Sequence, residues 1–338
     1  MSSYRLKERG NQGKCPYFDT IYKLFYHSDK RRKNGKEDRE IMLTEEKLLR
    51  GVVDFHVHVE PSFMERYCDF VELCYMAEKY GYKAIGHKDH HYGSGALAAM
   101  IKKHFFGESD LEVLGTVALN ETVGGMNRMV LETNIAFGAK AVWLPTTSAA
   151  NHIEFMKTKA GGFPTASKGP ACSPKPVYFT DENGDLNEET VKMFEVIRDH
   201  PGVALGSGHG TPAETDAMVR KAVELGIQDR FFVDHPYGII LAPWDDIIRW
   251  ARQGVMIEFV AGMTVGPDCA LTLEEMAHYI KEIGPERCII LSDLGQKNAG
   301  NPVERYGAFL MDLHRAGVSE DDIRMMTSHN PGKMIGIV

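Results

Sequence analysis

From residue 51 onward, short apolar runs alternate with longer amphipathic stretches. Each apolar run has the length of a strand, and most are followed by apolar residues spaced three and four apart, as on one face of a helix. The eight predicted strands are 51–58, 83–90, 112–120, 140–146, 203–209, 230–235, 255–260 and 287–293, and the clearest predicted helices are 70–79, 213–225, 244–252 and 273–283. Strands that alternate with helices indicate βαβ units and a parallel sheet. Eight such units predict an α/β fold, a TIM-like (β/α)8 barrel.

An open, doubly wound sheet is the alternative arrangement of the same units. That fold carries a glycine-rich phosphate-binding turn and binds its ligand at one crevice. No such turn follows any predicted strand, and polar residues stand at nearly every strand end. The barrel is therefore favoured, with its active site expected at the carboxyl ends of the strands.

Two regions fall outside this alternation. Residues 1–43 show no clean periodicity and are predicted to be an N-terminal extension, so that the barrel domain covers 44–338. Thr44 followed by two glutamates is typical of a capped helix start. The stretch 158–187 is rich in Gly, Pro and Ser and forms a long loop after the fourth strand. Such a loop is either a lid over the barrel mouth or a connection without a role in the site.

Composition and charge exclude several classes of protein. The 338-residue chain is 43% hydrophobic and 25% charged, with a net charge of −8, as is ordinary for a globular protein. The basic run 30–36 is expected to be a solvated loop, because nothing downstream extends it into a nucleic-acid footprint. No apolar run reaches the roughly 18 residues that a membrane span needs. The six cysteines lack CxxC spacing, which fits a reducing cytoplasm rather than a disulfide framework or a zinc knuckle.

The first predicted strand closes with Asp54-Phe55-His56-Val57-His58. Strand side chains alternate between faces, so His56 and His58 should point the same way, about 6–7 Å apart. Two neutral imidazoles so placed can bind one divalent cation. By itself the pair could equally be two polar residues at a strand end that bind no metal.

Four further strands end in groups of the same kind. Polar residues at barrel strand ends lie where chemistry is presented, whereas a buried core would not tolerate them unpaired. These ends are His87-Lys88-Asp89-His90-His91 after the second strand, His209 after the fifth, His235 after the sixth and Asp293 after the eighth. Five strand ends that each offer a nitrogen or carboxylate ligand indicate a metal centre.

This set of strand ends resembles the amidohydrolase superfamily of metal-dependent hydrolases. The resemblance covers about residues 50–338 and includes the Asn-Pro-Gly-Lys segment that begins at Asn330. An uncharacterised amidohydrolase-related branch is more narrowly similar at three segments. These are Lys88-Asp89-His90-His91, Ala118-Leu119-Asn120 with Gly124-Gly125-Met126-Asn127, and Val142-Trp143-Leu144-Pro145-Thr146.

The resemblance implies a centre of one or two divalent metal ions and assigns its ligands. His56 and His58 would hold the buried ion with Asp293 completing its site. A second ion would be held by His209 and His235. Asp293 would also be the catalytic residue that accepts a proton from the attacking water. Nitrogen and oxygen ligands make zinc the default, while Mn, Fe or Ni also fit.

One departure from the superfamily concerns the bridge between two ions. Binuclear members often carry a bridging carboxylated lysine at the end of strand four, and this chain has no lysine there. Lys88 on the second strand is the only well-placed substitute, and it shares strand parity with His90. An ammonium between two dications would be repelled, so a carbamylated Lys88 is the favoured bridging ligand. Its alternative role is to bind a substrate carboxylate or oxyanion as a point charge.

Other residues near strand ends are candidates for substrate contact. They are His90, Asn120, Trp143, Tyr237 and Glu258. His152, by contrast, falls in a helical or loop context and is expected to be structural or exposed.

Together these residues predict a cytoplasmic metallohydrolase. A metal-activated water would attack a cyclic or linear amide or a lactone, with Asp293 as proton shuttle. A metal-dependent decarboxylase or hydratase on the same barrel is one alternative, and a phosphoesterase is disfavoured because no arginine cluster stands at the strand ends. A non-catalytic metal-binding barrel whose N-terminal extension recruits a partner is the other. The expected partner is a small-molecule substrate, not nucleic acid or a membrane, and a homo-oligomer is left open.

Overall fold

The computed structural model describes residues 43–158, 174–264 and 269–337. Eight strands form one parallel sheet in which each strand pairs with the next along the chain. They are β1 Val53–Val57, β2 Ala84–His87, β3 Glu112–Ala118, β4 Ala139–Trp143, β5 Ala204–Gly206, β6 Phe231–Val233, β7 Met256–Val260 and β8 Cys288–Leu291.

The first and last strands meet just beyond their ends. The His58 amide donates to the Leu294 carbonyl at 2.8 Å, and the Asp293 amide donates to the His56 carbonyl at 2.7 Å. The sheet is thereby a nearly closed barrel, and the predicted (β/α)8 fold is confirmed.

Helices precede the first strand, occupy each connection between strands and follow the last strand. Within the described ranges they are α1 Glu45–Leu49, α2 Phe70–Lys79, α3 Gly95–Phe105, α4 Arg128–Ala136, α5 Ala150–Thr158, α6 Glu188–Asp199, α7 Pro212–Glu224, α8 Trp244–Arg252, α9 Leu273–Ile283, α10 Pro302–Arg315, α11 Glu320–Arg324 and α12 Asn330–Met334. The Thr44 hydroxyl accepts the Lys47 amide, which confirms the predicted cap of α1. Capping boxes fix the starts of three longer helices, for example Thr211 with Glu214 at α7.

The barrel interior is filled by aromatic side chains. Ring centroids of Phe55, Trp143 and Phe232 lie 5.6 to 6.0 Å from one another, and all three side chains are fully buried. The register between β1 and β2 shifts between Asp54 and Val57. This irregularity lets the consecutive residues Phe55 and His56 both contact Trp143, whose ring lies 5.3 Å from the His56 ring. The aromatic layer thus lies directly beneath the polar strand ends.

The strands are shorter than the apolar runs that predict them. Each predicted run contains its observed strand, apart from one residue at the start of β4, but β2, β5 and β6 end two or three residues earlier. Most polar candidates therefore lie on the loops that follow the strands. The predicted extension, residues 1–43, lies outside the described residues except for Leu43, and the centre of the predicted lid, 159–173, also lies outside them.

No helix within the described ranges combines the length and apolarity that crossing a bilayer requires.

Candidate metal centre

The two histidines of β1 converge on the carboxylate that follows β8. Asp293 Oδ1 lies 2.9 Å from His58 Nε2 and 3.4 Å from His56 Nε2. The two imidazole rings lie 5.3 Å apart. The predicted pairing of His56, His58 and Asp293 is therefore present as one compact group whose ligand atoms can share a cation.

Hydrogen bonds on the far side of each ring orient the Nε2 atoms. His58 Nδ1 lies 2.8 Å from the Lys88 carbonyl oxygen, and because that oxygen only accepts, Nδ1 carries the proton. Nε2 of His58 is then a bare lone pair that faces a carboxylate oxygen. Two acceptors at this distance repel each other unless a cation or a proton lies between them. His56 Nδ1 contacts Glu258 Oε1 at 2.7 Å, the arrangement that commonly supports a metal-binding histidine.

A second group surrounds Asp234, which sequence reasoning did not select. Its Oδ2 lies 3.4 Å from His209 Nε2, and its Oδ1 lies 3.4 Å from His235 Nε2. Both Asp234 oxygens, His209 Nε2 and His235 Nδ1 are buried without a hydrogen-bond partner among the described residues. Buried polar atoms are normally paired. These orphaned nitrogen and oxygen donors fit a divalent cation.

Lys88 extends between the two groups. Its Nζ lies 2.8 Å from His56 Nε2 and 3.7 Å from Asp234 Oδ2. It also lies 4.4 Å above the Trp143 ring, and the side chain is buried. The Lys88 side chain therefore ends among the atoms that would ligate a metal.

Burial sets the protonation states of the imidazoles. Burial lowers the pKa of His56 well below its ordinary value, with Lys88 adding to the effect, and it lowers the pKa of His58 as well. Burial also lowers the pKa of His209 to about 4. These rings are neutral at neutral pH, which is the form that binds metal.

The carboxyl groups differ in the direction in which their pKa values are shifted. Burial raises the pKa of Asp293, but His56 and His58 outweigh it and hold that pKa below the ordinary range. At Asp234 burial is likewise outweighed, here by His235 and Lys88, so its pKa lies well below the ordinary value. Burial and the charge of Asp234 together raise the pKa of Glu258 well above the ordinary value. The two aspartates are therefore the anionic candidate ligands of the site.

The five residues predicted to contact substrate occupy different positions. The His90 ring stacks on the His58 ring with their centroids 4.9 Å apart, so His90 lies beside a candidate metal ligand. The Asn120 amide donates to the His90 carbonyl and Thr146 Oγ1, and its oxygen accepts the Thr146 and Ser148 amides. These bonds brace two loops, and a substrate contact by Asn120 stays a prediction.

Trp143, Tyr237 and Glu258 lie behind the ligands. The Trp143 ring packs against Lys88, with Nζ 4.4 Å from the ring centroid. The Tyr237 hydroxyl accepts the Val260 amide at 2.9 Å, and its ring stacks on Trp244. Glu258 supports His56, and its Oε2 accepts the His235 amide at 3.2 Å. All three are buried, and their predicted role in binding substrate stays a prediction.

Sequence reasoning missed two neighbours of the ligands. Asp234 precedes His235 directly, and strand alternation places consecutive residues on opposite faces. His235, however, has a φ of 27°, which breaks that alternation. His152, expected to be structural or exposed, is buried and stacks on His209 at 4.8 Å with their Nδ1 atoms 2.7 Å apart. Its position at the start of α5 gave no periodic signal for this contact.

Comparison with known proteins gives a family and a fold. The model of a family of unknown function, DUF6282, matches residues 51–258. No curated protein matches the sequence at a significant level. Among solved structures, an amidohydrolase from Pseudomonas aeruginosa is 10% identical with a TM-score of 0.55 and covers 87% of this chain and 100% of its own. A dihydroorotase is 14% identical with a TM-score of 0.52, covering 86% of this chain and 70% of its own.

A third structure shares the fold with a different chemistry in its name. It is a 2,6-dihydroxybenzoate decarboxylase with 9% identity and a TM-score of 0.50, covering 85% of this chain and 99% of its own. These neighbours belong to the amidohydrolase superfamily, and at such identities they establish the fold. The chain belongs to the DUF6282 family and has the barrel fold of the amidohydrolase superfamily.

Proposed function

We propose that the protein is a metal-dependent hydrolase that adds water to the carbonyl carbon of an amide or a lactone. The observation that carries this proposal is the cluster of buried imidazole nitrogens and carboxylate oxygens, several of them without a hydrogen-bond partner among the described residues. An imidazole lone pair that faces an ionised carboxylate is stabilised when a cation lies between the two groups.

The residues divide between two cation positions. His56, His58 and Asp293 would hold one ion. Asp234 and His235, which also form a possible ligand group with His56, would hold a second ion together with His209, whose Nε2 lies 3.4 Å from Asp234 Oδ2. A divalent ion bound there supplies Lewis acidity and brings the pKa of a water molecule to about 7. Zinc is the ion that the ligand set favours, with Mn, Fe or Ni as the alternatives.

Asp293 is the ligand best placed to move a proton. Its side chain is 15% exposed, whereas those of His56 and His58 are 1% and 4% exposed. Water and substrate therefore reach Asp293 first. Because its pKa lies below the ordinary range, a proton accepted by this carboxylate is passed on to the leaving nitrogen or oxygen rather than retained.

Lys88 is proposed to be carbamylated when metal is bound. Lys88 Nζ contacts His56 Nε2, the atom that would ligate the ion. If Nζ were a free ammonium group, its positive charge would repel the metal ion. Carbamylation converts this group into a carboxylate between the two positions. Carbon-13 NMR of metal-loaded protein kept in labelled bicarbonate should show a carbamate resonance that Lys88→Met abolishes. A spectrum without that resonance contradicts the bridge.

The hydrolase proposal is tested with a panel of cyclic and linear amides, lactones and esters. We expect turnover that chelation removes and added zinc or manganese restores. Asp293→Asn should reduce kcat by about a hundredfold or more while the circular dichroism is unchanged. Asp245→Asn is the matched control, because Asp245 is exposed in the first turn of α8.

Two outcomes contradict the proposal. Release of CO2 from a carboxylated substrate without addition of water would identify a decarboxylase. Metal binding without turnover of any amide, lactone or ester would identify a binding module.

A further inference from the structure

Arg66 lies on the loop between β1 and α2 and is the one buried arginine of the described residues, at 8% exposure. Arginine is almost never buried without a partner. Within the described part of the chain its Nε has no hydrogen-bond partner, and Nη2 donates only to Met64 Sδ at 3.5 Å. A thioether is a weak acceptor. The donors of this guanidinium are therefore largely unused.

The backbone around Arg66 places it beside the metal centre. Arg66 pairs with Gln296, and the Tyr67 amide donates to the Gly295 carbonyl at 2.9 Å. Gln296 and Gly295 follow Asp293 closely along the loop after β8. Arg66 thus lies where the loop that follows His58 pairs with the loop that carries Asp293.

No carboxylate in the described part of the chain forms an ion pair with the buried Arg66 guanidinium. Among the described residues no carboxylate oxygen lies within the ion-pair distance of 4.0 Å from Arg66. Asp89 and Asp293 act on Arg66 only through space, and Arg66 in turn acts through space on His58 and His90. The positive charge is therefore held within electrostatic reach of His58 and Asp293, and its Nε donor has no partner among the described residues.

We infer that Arg66 anchors a carboxylate group of the substrate beside the carbonyl that is hydrolysed. The planar fork of guanidinium donors matches a carboxylate. With Asp89 and Asp293 nearby, a singly charged carboxylate is accommodated better than a doubly charged phosphate. This inference rests on the proposed hydrolase function and restricts its substrates to anionic amides or lactones.

The test compares two lactams that differ only in a carboxylate, 5-oxoproline and 2-pyrrolidinone. Isothermal titration calorimetry on the metal-loaded full chain gives a Kd for each, independently of turnover. We expect the wild-type protein to bind 5-oxoproline about tenfold more tightly or better, the effect of one charge-assisted contact. Arg66→Met should bring the ratio of the two Kd values close to one, and Arg66→Lys should keep most of the preference.

Arg315→Met is the matched control, because Arg315 is 69% exposed on α10, and it should leave the ratio unchanged. A ratio preserved in Arg66→Met with wild-type circular dichroism and metal content overturns the inference, as does a wild-type protein without preference. If Arg66→Met does not fold, Arg66→Gln replaces it, and an unchanged ratio there has the same meaning. If Arg66→Met loses the preference for 5-oxoproline but the wild-type protein hydrolyses no substrate, the role of Arg66 in binding a carboxylate would stand and the proposed hydrolase function would be rejected.

Discussion

At the scale of single residues, the site combines strained backbone with unusual protonation. His235 and Asp293 have φ values of 27° and 49°, a left-handed region that side-chain-bearing residues rarely adopt. Such a conformation costs about 1–3 kcal/mol and persists where the surroundings fix it. Both residues are proposed ligands, so the strain turns their side chains toward the cavity.

A buried imidazole next to the ligands makes stability depend on pH. Burial lowers the pKa of His87 to about 4, and its Nε2 contacts the Tyr92 hydroxyl at 2.8 Å. The unfolded chain binds a proton at His87 near pH 6.5, whereas the folded chain does not. The stabilisation is therefore complete above pH 6.5 and is lost as the pH falls toward 4. We expect a loss of about 2 kcal/mol between pH 7 and pH 5.

Urea unfolding of chelator-treated protein measures this loss. The decrease in the free energy of unfolding between pH 7 and pH 5 should be about 2 kcal/mol smaller in His87→Gln, which does not titrate. His104→Gln changes an exposed histidine and should behave as the wild type. If the free energy of unfolding changed with pH by the same amount in the wild type and in His87→Gln, His87 would not be held neutral by the fold.

Residue patterns selected candidate ligands more readily than the groups around them. His56, His58, His209, His235 and Asp293 were selected because imidazoles and carboxylates stood out at apolar strand ends. Asp234 was not found, because its role depends on a backbone angle at the next residue. Arg66 lies on an irregular loop whose course no periodicity describes.

At the scale of elements, the ligands depend on close contacts between neighbouring strand ends. Gly208 follows β5 with a φ of +63°, and a Cβ there would collide with the carbonyl oxygens of Leu144 and Pro145. The His209 amide donates to the Pro145 carbonyl at 3.1 Å. The end of β4 therefore fixes the loop that presents His209, and only glycine permits this approach.

Gly208→Ala should destabilise the barrel and weaken metal binding through His209. Gly226→Ala is the matched control, because Gly226 has a φ of +69° but no atom within 4 Å of its added Cβ. Both variants carry the left-handed cost, so the collision should make Gly208→Ala less stable than the control by about 1–3 kcal/mol. Thermal unfolding and metal content measure the two effects. Equal stabilities would show that the strand ends can separate without loss.

Elements with strong periodicity were predicted well. Helices α2, α8 and α9 have the bounds that their apolar spacing predicts. The shorter strands were overestimated, because loop residues that follow them, such as Lys88, Ser207 and Asp234, are also buried. The order of strands around the barrel followed from the rule that sequential βαβ units lie side by side.

At the scale of the whole molecule, the proposed ions join distant parts of the barrel. The ligands come from the ends of β1, β5, β6 and β8, so a bound ion would link strands at both ends of the sheet order. A ligand that binds only the folded state stabilises it by mass action. The barrel should therefore be more stable with metal than without it.

Removal of metal by a chelator should lower the Tm, and added zinc should restore it. Free ion at about a hundred times its Kd contributes about 3 kcal/mol, which corresponds to about 5 °C or more for a domain of this size. Calorimetry with and without zinc measures the shift. In His58→Asn, which removes one ligand, the shift should be smaller, and a shift of equal size would place the stabilising ion elsewhere.

The most direct test of the metal centre is the elemental analysis of protein purified without chelator. We expect at least one equivalent of a divalent transition metal per chain, reduced in Asp293→Asn and unchanged in Asp245→Asn. A content below about 0.3 equivalents, not restored by adding zinc or manganese, would contradict it, because unpaired buried ligands of this kind should retain their ion.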